Sequence, residues 1–394
     1  MKRSTAPGNG MRAPTYWLSQ LAAPEAPRPE PLPARTEVVV VGGGVIGVAA
    51  AYEMARLGAA PLLLERRRLG WGASGRNAGL VLGSAASLDG MQAVLAAERL
   101  EVDYREPGHL ALASSPAALE HMHEEVAARP SASMPVQVLD RGACEDLLSL
   151  RVGAAFCGGR WMPRAGAVHP VRFVSGLAGA AVRHGAVIAA GTAVRCLRRA
   201  HPGDGFDLET SQLRIRARQV VLACSASSAR LWRPLVALLS PARGQVLATR
   251  PLPVLFGPGL AVDYGTLYWR QAPDGVVVLG GCRHLDPVAE TTGREGLNPR
   301  IQAALERFLP EAFPGFPRVR VAWRWAGIMD ETPDGRPMVG PWPDGSGLWI
   351  AAGFGGHGLP PALEIGRALA RAVVEGDRTA LPATLDPARF RRPS

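Results

Sequence analysis

Residues 36–47, TEVVVVGGGVIG, place glycines where a phosphate-bearing ligand can meet the backbone. Gly42, Gly44 and Gly47 fit G-x-G-x-x-G, followed by a helical stretch, VIGVAAAYEMARLG, that Gly58 stops. Gly42 suits the tight turn, Gly44 a close approach of backbone to pyrophosphate, and Gly47 close packing of helix on strand. The helix start at Val45 and Ile46 aims N–H groups without intrahelical partners at an anion. A second strand, APLLLE, ends at Glu65, beside Arg66 and 18 residues after Gly47. That is near the spacing of about 20 at which an acid meets ribose hydroxyls, and it favours NAD or FAD over NADP. A second glycine turn, GFGGHG at 353–358, lies near the other end of the chain. Its N–H groups can again face an electron-rich ligand, so a larger cofactor spanning both turns, a flavin, fits better than nicotinamide. His357 within this turn either tunes that ligand or is an incidental turn residue. Tyr268 and Arg270, two apart in TLYWRQ, share one face of a predicted strand. They are candidate substrate contacts, or an ordinary exposed strand face. The sequence contains no Ser/His/Asp grouping and no metal-ligand spacing.

These residues need a parallel sheet to hold them. Val38–Val41 form an apolar, β-branched run of the kind buried on both faces of such a sheet. The stretch 70–83, GWGASGRNAGLVLG, is too rich in small residues for a regular element and reads as a long functional loop. Residues 86–150 read as largely helical around a short strand, GHLALAS, and VHPVRFVSGLAGAAVRHG as a helix entered at Pro170 and closed by Gly185. A hairpin-like FDLETSQLRIRARQVVLAC and a β-rich stretch at 243–283 follow. Last come the strand LWIAAG, the second glycine turn and a helix expected from near Leu359.

At 394 residues the chain has room for two domains, and 47% hydrophobic with 20% charged residues is ordinary globular composition. No run of 18 uncharged apolar residues predicts a membrane span, and the N-terminus lacks the apolar core of a secretory signal. Residues 1–35 are read as an extended N-terminal arm, Pro/Ala-rich over its second half. Five scattered cysteines without C-x-x-C pairing argue against a zinc site or a disulfide framework, and suit a reducing cytoplasm. The net charge of +10 raises nucleic-acid binding, but the basic residues are spread along the chain and only Lys2 is lysine. No nucleic-acid partner is expected on that basis.

Taken together, VVVVGGGVIGVAAAYEMARLG, GASGRNAG, VHPVRF, VVLACSASS, RGQVL, WAGIMDETPDGRPMVG and GFGGHGLPPALEIGRALA resemble the D-amino-acid oxidase superfamily of FAD-dependent amine oxidoreductases. The resemblance runs from about Thr36 to about Gly376 and implies an α/β fold: a Rossmann-type FAD-binding domain assembled from discontinuous segments (36–85, 151–240 and 326–378). An α+β substrate domain with a mixed sheet (86–150 and 241–325) would be inserted between them, and 379–394 would be a tail. It implies oxidation of a C–N bond by hydride transfer to flavin N5, hydrolysis of the imine, and oxygen or another final acceptor. Carried over, Gly42, Gly44 and Gly47 would hold the pyrophosphate and Glu65 the ribose. Ser74, Gly75, Arg76, Asn77 and Ala78 would lie against phosphates and isoalloxazine, with Gly327 of the WAG segment nearby. Val194, Ala223 and Cys224 would meet the adenine, and Gly355, Gly356, His357, Gly358 and Leu359 the pyrimidine end of the flavin. Arg76 would steer an anion or brace its loop.

Two departures narrow the expectation. Relatives with covalent flavin use a Cys before the TPD segment or a His in the early loop; both are absent here, which implies noncovalent FAD. Glycine-oxidase-like members clamp the substrate carboxylate with two arginines whose positions here are Met329 and Gly356. Small α-amino acids are thereby disfavoured against amines, the substrates of the gamma-glutamylputrescine oxidase branch. Three alternatives stand beside amine oxidation: a D-amino-acid or N-methyl amino acid enzyme using Arg270, a tailoring oxidase for a secondary metabolite, and a tRNA-modifying flavoprotein.

Overall fold

The computed structural model describes residues 15–21, 31–128, 131–200 and 205–390. Helix α1 (Tyr16–Ser19) precedes β1 (Arg35–Val41), α2 (Val45–Arg56), β2 (Leu62–Glu65) and α3 (Ala85–Ala97). Then come β3 (His109–Ala113), β4 (Gln137–Asp140), β5 (Gly158–Met162), α4 (Pro170–Arg183), β6 (Val187–Ala190), β7 (Val194–Arg199), β8 (Phe206–Thr210) and β9 (Arg214–Leu222). The chain continues through β10 (Ser240–Thr249), β11 (Gly259–Val262), β12 (Leu267–Gln271), β13 (Val277–Gly281) and α5 (Pro299–Ala312). It closes with β14 (Val321–Glu331), β15 (Met338–Pro341), β16 (Leu348–Ala352) and α6 (Ala362–Ala370).

Two eight-stranded sheets result. The first runs β15-β16-β9-β1-β2-β6, with β8 and β7 added beside β9, and β1 pairs in parallel with both β2 and β9. Val38 and Val40 of β1 face a helical layer containing α2, α4 and α6, while Val39 and Val41 face a second apolar layer under β9 and β16. Burial on both faces is why this strand is continuously apolar. The second sheet runs β14-β10-β13-β12-β11-β3-β5-β4. Leu110, Leu112, Trp269 and Leu279 pack on one side with Ile301, Leu305 and Leu309 of α5. Strand alternation therefore turns Ala111 and Tyr268 to the other side, toward the first sheet.

Several boundaries differ from those expected. Tyr16, Trp17 and Leu18 are buried in a short helix, not part of an extended arm; the rest of that arm (1–14, 22–30) lies outside the described residues. Helix α3 sends Leu88, Met91, Val94 and Leu95 into the core shared with α2, although 86–150 was assigned to the substrate unit. Conversely, β5 and the whole of β14 pair in the second sheet, although 158–162 and 326–331 were assigned to the cofactor unit. Pairing partners far away in sequence decide these boundaries, and local pattern does not carry them. Residues 379–390 are not a free tail: Arg389 pairs with Asp334, and Phe390 joins the core under β16.

Helices α2 and α6, which start near the two glycine turns, cross in close contact because Gly366 has no side chain. A Cβ there would lie 2.7 Å from the Ala49 carbonyl carbon and 2.8 Å from its oxygen. Gly366→Ala should therefore lower stability by about 1–3 kcal/mol through overpacking. The check is a shift of the urea midpoint at unchanged m value; an unshifted midpoint would mean the helices part at no cost.

Candidate active site

A cavity of about 1940 Å³ lies between the sheets, and both glycine turns open into it. At β1–α2, Gly42 adopts φ +120°, and a Cβ on it would lie 2.4 Å from the Ala223 carbonyl oxygen. Only glycine fits so close an approach of β1 to the end of β9. Gly47 faces inward, its Cβ position 2.0 Å from the Gly42 oxygen, so it serves helix–strand packing and does not line the cavity. The Val45 N–H donates to Ser74 Oγ (2.9 Å), whereas the N–H groups of Gly44 and Ile46 have no acceptor among the described residues. Glu65 accepts from the Gly43 and Arg67 N–H groups, 2.8 Å each, one on each oxygen. Each carboxylate oxygen keeps a further lone pair, and Glu65 lines the cavity.

The loop after β2 is held by its carbonyls. Gly75 O accepts from Thr15 Oγ1 (3.3 Å), Arg76 O from Trp325 Nε1 (2.9 Å), Asn77 O from Trp17 Nε1 (2.8 Å) and Ala78 O from Arg270 Nε (2.5 Å). Four successive carbonyls thus point away from the cavity into donors supplied by α1, β12, β14 and the residue before α1. Arg76 braces the loop too, donating to Trp71 O (2.8 Å) and Ala326 O (2.7 Å). The Asn77 and Ala78 N–H groups have no acceptor among the described residues, and both residues line the cavity.

The second turn is fixed by Asp330 at the end of β14. Its carboxylate accepts from Gly353 N–H (2.7 Å) and Ser225 Oγ (2.8 Å), and its carbonyl from Gly355 N–H (2.9 Å). Burial raises its pKa against the pull of these donors. The His357 N–H is spent on Phe354 O (2.8 Å), and its ring is exposed at the rim. The N–H groups of Gly356, Gly358 and Leu359 have no acceptor among the described residues. Helix α6 begins only at Ala362, three residues beyond the expected start, so these donors belong to the turn and not to a helix end.

Residues 37–372 match the family described as "FAD dependent oxidoreductase". The chain belongs to this family. It is 28% identical over 350 residues to the glycine oxidase of Geobacillus kaustophilus, covering 82% of this chain and 89% of that one. It is 25% identical over 388 residues to the mitochondrial dimethylglycine dehydrogenase of Mus musculus, covering 90% of this chain but 44% of the longer relative. The crystal structure of glycine oxidase from Geobacillus kaustophilus superposes with a TM-score of 0.80 at 24% identity, over 91% of this chain and 100% of that one. That likeness establishes the mixed α/β fold.

Within this FAD-dependent fold, Gly42, Gly44, Val45, Ile46, Glu65, Arg66, Val194, Ala223 and Cys224 line the cavity. So do Ser74, Arg76, Asn77, Ala78, Gly327, Gly355, Gly356, His357, Gly358, Leu359 and Tyr268, also singled out in the sequence. Three expectations fail. Gly47 and Gly75 pack inward: a Cβ on Gly75 would lie 2.1 Å from Gly70 O. Arg270 is buried behind the loop, donating to Ala78 O and Val168 O (2.7 Å) with Trp17 against its guanidinium at 4.9 Å, so it is no substrate contact. Strand parity put it on the correct face, but the loop covers that part of the face. Burial pulls its pKa down to about 10, leaving it charged.

Sequence reasoning missed Trp17, Asp330, His109 and Arg160. The aromatic pair in PTYWLSQ, outside the family match, was the signal for the first; Asp330 carried none.

Two buried imidazoles make the fold acid-sensitive. Burial pushes His109 and His169 down to about 4. His169 caps α4, its Nδ1 accepting the Arg172 N–H (3.1 Å), which protonation would forbid. The unfolded chain takes up protons at these sites from about pH 6.5 downward and the folded chain only near 4. Stability should therefore be full above pH 6.5 and fall toward pH 4, by up to about 1.4 kcal/mol per pH unit for each imidazole. His169→Asn, which keeps a cap acceptor, should flatten part of that slope in denaturant titrations; an unchanged slope assigns it to other groups.

Trp17→Phe keeps an aromatic ring, though a smaller one, and removes the indole donor to Asn77 O. Leaving that buried carbonyl unpaired should lower stability by about 1–3 kcal/mol and weaken FAD binding measured by titration of apoprotein. Unchanged FAD affinity would mean the loop sets itself without α1.

Proposed function

We propose that the protein oxidises a C–N bond of an amine or amino acid, using noncovalently held FAD. The observation that carries this reading is the set of N–H donors without an acceptor among the described residues, from three separate turns (Gly44 and Ile46, Asn77 and Ala78, and Gly356, Gly358 and Leu359), all on one cavity. Such a string suits an elongated ligand with a pyrophosphate and an acceptor-rich ring, and buried donors of this kind are kept where a ligand satisfies them.

Gly42, Gly44, Val45 and Ile46 would hold the pyrophosphate, Glu65 and Arg66 the adenosine ribose, and Val194, Ala223 and Cys224 the adenine. Ser74 to Ala78 and Gly327 would flank the ring system, with Gly355 to Leu359 at its pyrimidine end. Bound there, FAD supplies the two-electron acceptor for oxidation of the substrate C–N bond to an imine that hydrolyses, with oxygen or another final oxidant. The turn donors favour negative charge at that end, and His357 at the rim can add to it through its charge or a hydrogen bond. Tyr268 is the side chain best placed to orient substrate; burial pushes its phenol up to about 12, so it stays a neutral donor and acceptor. The relatives' names, glycine oxidase and dimethylglycine dehydrogenase, support a substrate with an amine next to the oxidised carbon. No described helix is long and apolar enough to cross a membrane, and a cytoplasmic location is part of the proposal.

The loop 70–83 has no His and WRWAGIMDETPD no Cys, which supports noncovalent attachment. Purified protein should be yellow, and acid precipitation should leave FAD in the supernatant; colour in the pellet would refute noncovalent attachment. Under anaerobic conditions a panel of amines and amino acids should include compounds that bleach the flavin. If none does, amine oxidation is the wrong reaction.

A further inference from the structure

The two positions at which relatives clamp a substrate carboxylate face each other here without a cation. A Cβ on Gly356 would lie 2.8 Å from Met329 Sδ, and both residues border the cavity. A carboxylate on that wall would meet a thioether and backbone, a poor exchange for water.

The opposite wall is different. One row across the second sheet reads Arg160, Ala111, Ala261, Tyr268, in register on β5, β3, β11 and β12. All four line the cavity. The Tyr268 hydroxyl leans over Gly280, whose Cβ position lies 2.6 Å from it. Only two methyl groups therefore floor the gap between Tyr268 and Arg160, about 14 Å at the backbone for three strand spacings. At the far end, Arg160 Nη1 donates to Glu125 (2.7 Å), while its buried Nε has no partner. His109, on the next inward-facing row of β3, is 2% exposed, and neither ring nitrogen has a partner. Burial, then Arg160, keeps it neutral, so it offers one donor and one acceptor. Arg164 nearby is already occupied by Asp89 and Glu106.

We propose that Arg160 and His109 form a recognition site for an anionic oxygen group, and that the substrate is an amine carrying a carboxylate remote from the carbon that is oxidised. This rests on the amine-oxidation reading. The Glu125 pairing orients the guanidinium and consumes one of its five donors, leaving the capacity for a singly charged carboxylate. The alanine floor gives an alkyl chain an apolar path between Tyr268 and that site.

The test uses the FAD-loaded protein and amines in matched pairs, each pair differing only in a terminal carboxylate against its methyl ester. Flavin bleaching is followed anaerobically against concentration. The acids should half-saturate at concentrations lower by about tenfold or more, the fold-change that charge-assisted hydrogen bonds carry. Arg160→Gln should abolish the preference; the Arg160→Gln/Glu125→Gln pair does so without stranding a carboxylate if the single variant folds poorly. His109→Phe should raise half-saturation for the acids several-fold while raising the melting temperature, because it removes two orphaned polar atoms. A raised melting temperature with unchanged half-saturation makes His109 a structural orphan and overturns its role. Equal half-saturation of acids and esters in the unaltered protein overturns the site while leaving amine oxidation standing. Bleaching by no amine at all removes both.

Discussion

Four consecutive carbonyls, from Gly75 to Ala78, are the hinge on which the cavity depends. A buried carbonyl without a donor costs about 1–3 kcal/mol, so a loop of small residues cannot leave four of them unmet. Donors come from Thr15, Trp325, Trp17 and Arg270, which lie up to 249 residues along the chain from the carbonyl each serves. Because each carbonyl is claimed from behind, the intervening N–H groups of Asn77 and Ala78 are left on the cavity side. The second sheet therefore does more than wall off a substrate space: it sets the polarity of a loop that belongs to the first. Arg270 and Trp325, both inward-facing on that sheet, act on the cavity through loop backbone.

The parts legible in the sequence were those whose reason is local. Val38–Val41, the glycines at 42 to 47 and Gly58 encode a strand, a turn, a helix and its stop within a few residues of one another. The same holds for Pro170 and Gly185 around α4. What the sequence hid is set by distant partners. Arg270 and Tyr268 have the same parity and the same face, yet Ala78 lies over one and the cavity over the other. Residues 158–162 read as part of the cofactor segments, because nothing local shows the pairing with β3 and β4 that gives them their sheet. His109 sat inside GHLALA, where an apolar strand suggests a core position; it is buried, but lacks the partner that an ordinary core histidine has.

Glycine recurs at the cavity for two distinct reasons. Gly42 and Gly47 exist so that backbone can touch backbone, at Ala223 and within the turn itself. Gly356 and Gly327 clear space around side chains, Met329 Sδ in one case and the Arg76 Cβ, 3.1 Å from a Cβ at 327, in the other. The first kind fixes the architecture shared with relatives. The second kind shapes the cavity wall, where Gly356 leaves room for Met329 and so keeps that stretch apolar, as the absence of arginine at both positions leads one to expect.

Asp330 shows how the two sheets become one site. It ends β14 in the second sheet, yet it holds Gly353 and Gly355 at the turn leaving the first, and Ser225 just beyond β9. Ser225 itself adopts φ +55°, a conformation that costs a non-glycine residue and is kept here by its hydroxyl bond to Asp330. Burial opposes the charged form of this carboxyl, but both partners facing it are donors, one on each oxygen. The donors work against burial in holding this carboxyl, which sits directly behind the glycine turn. The Gly356, Gly358 and Leu359 N–H groups belong to the same turn, so the field they present is that of the turn dipoles, diminished by Asp330 when that carboxyl is ionised. The polarity of this end of the cavity is thereby set by a balance between backbone donors of the first sheet's glycine turn and one buried carboxyl carried by the second sheet.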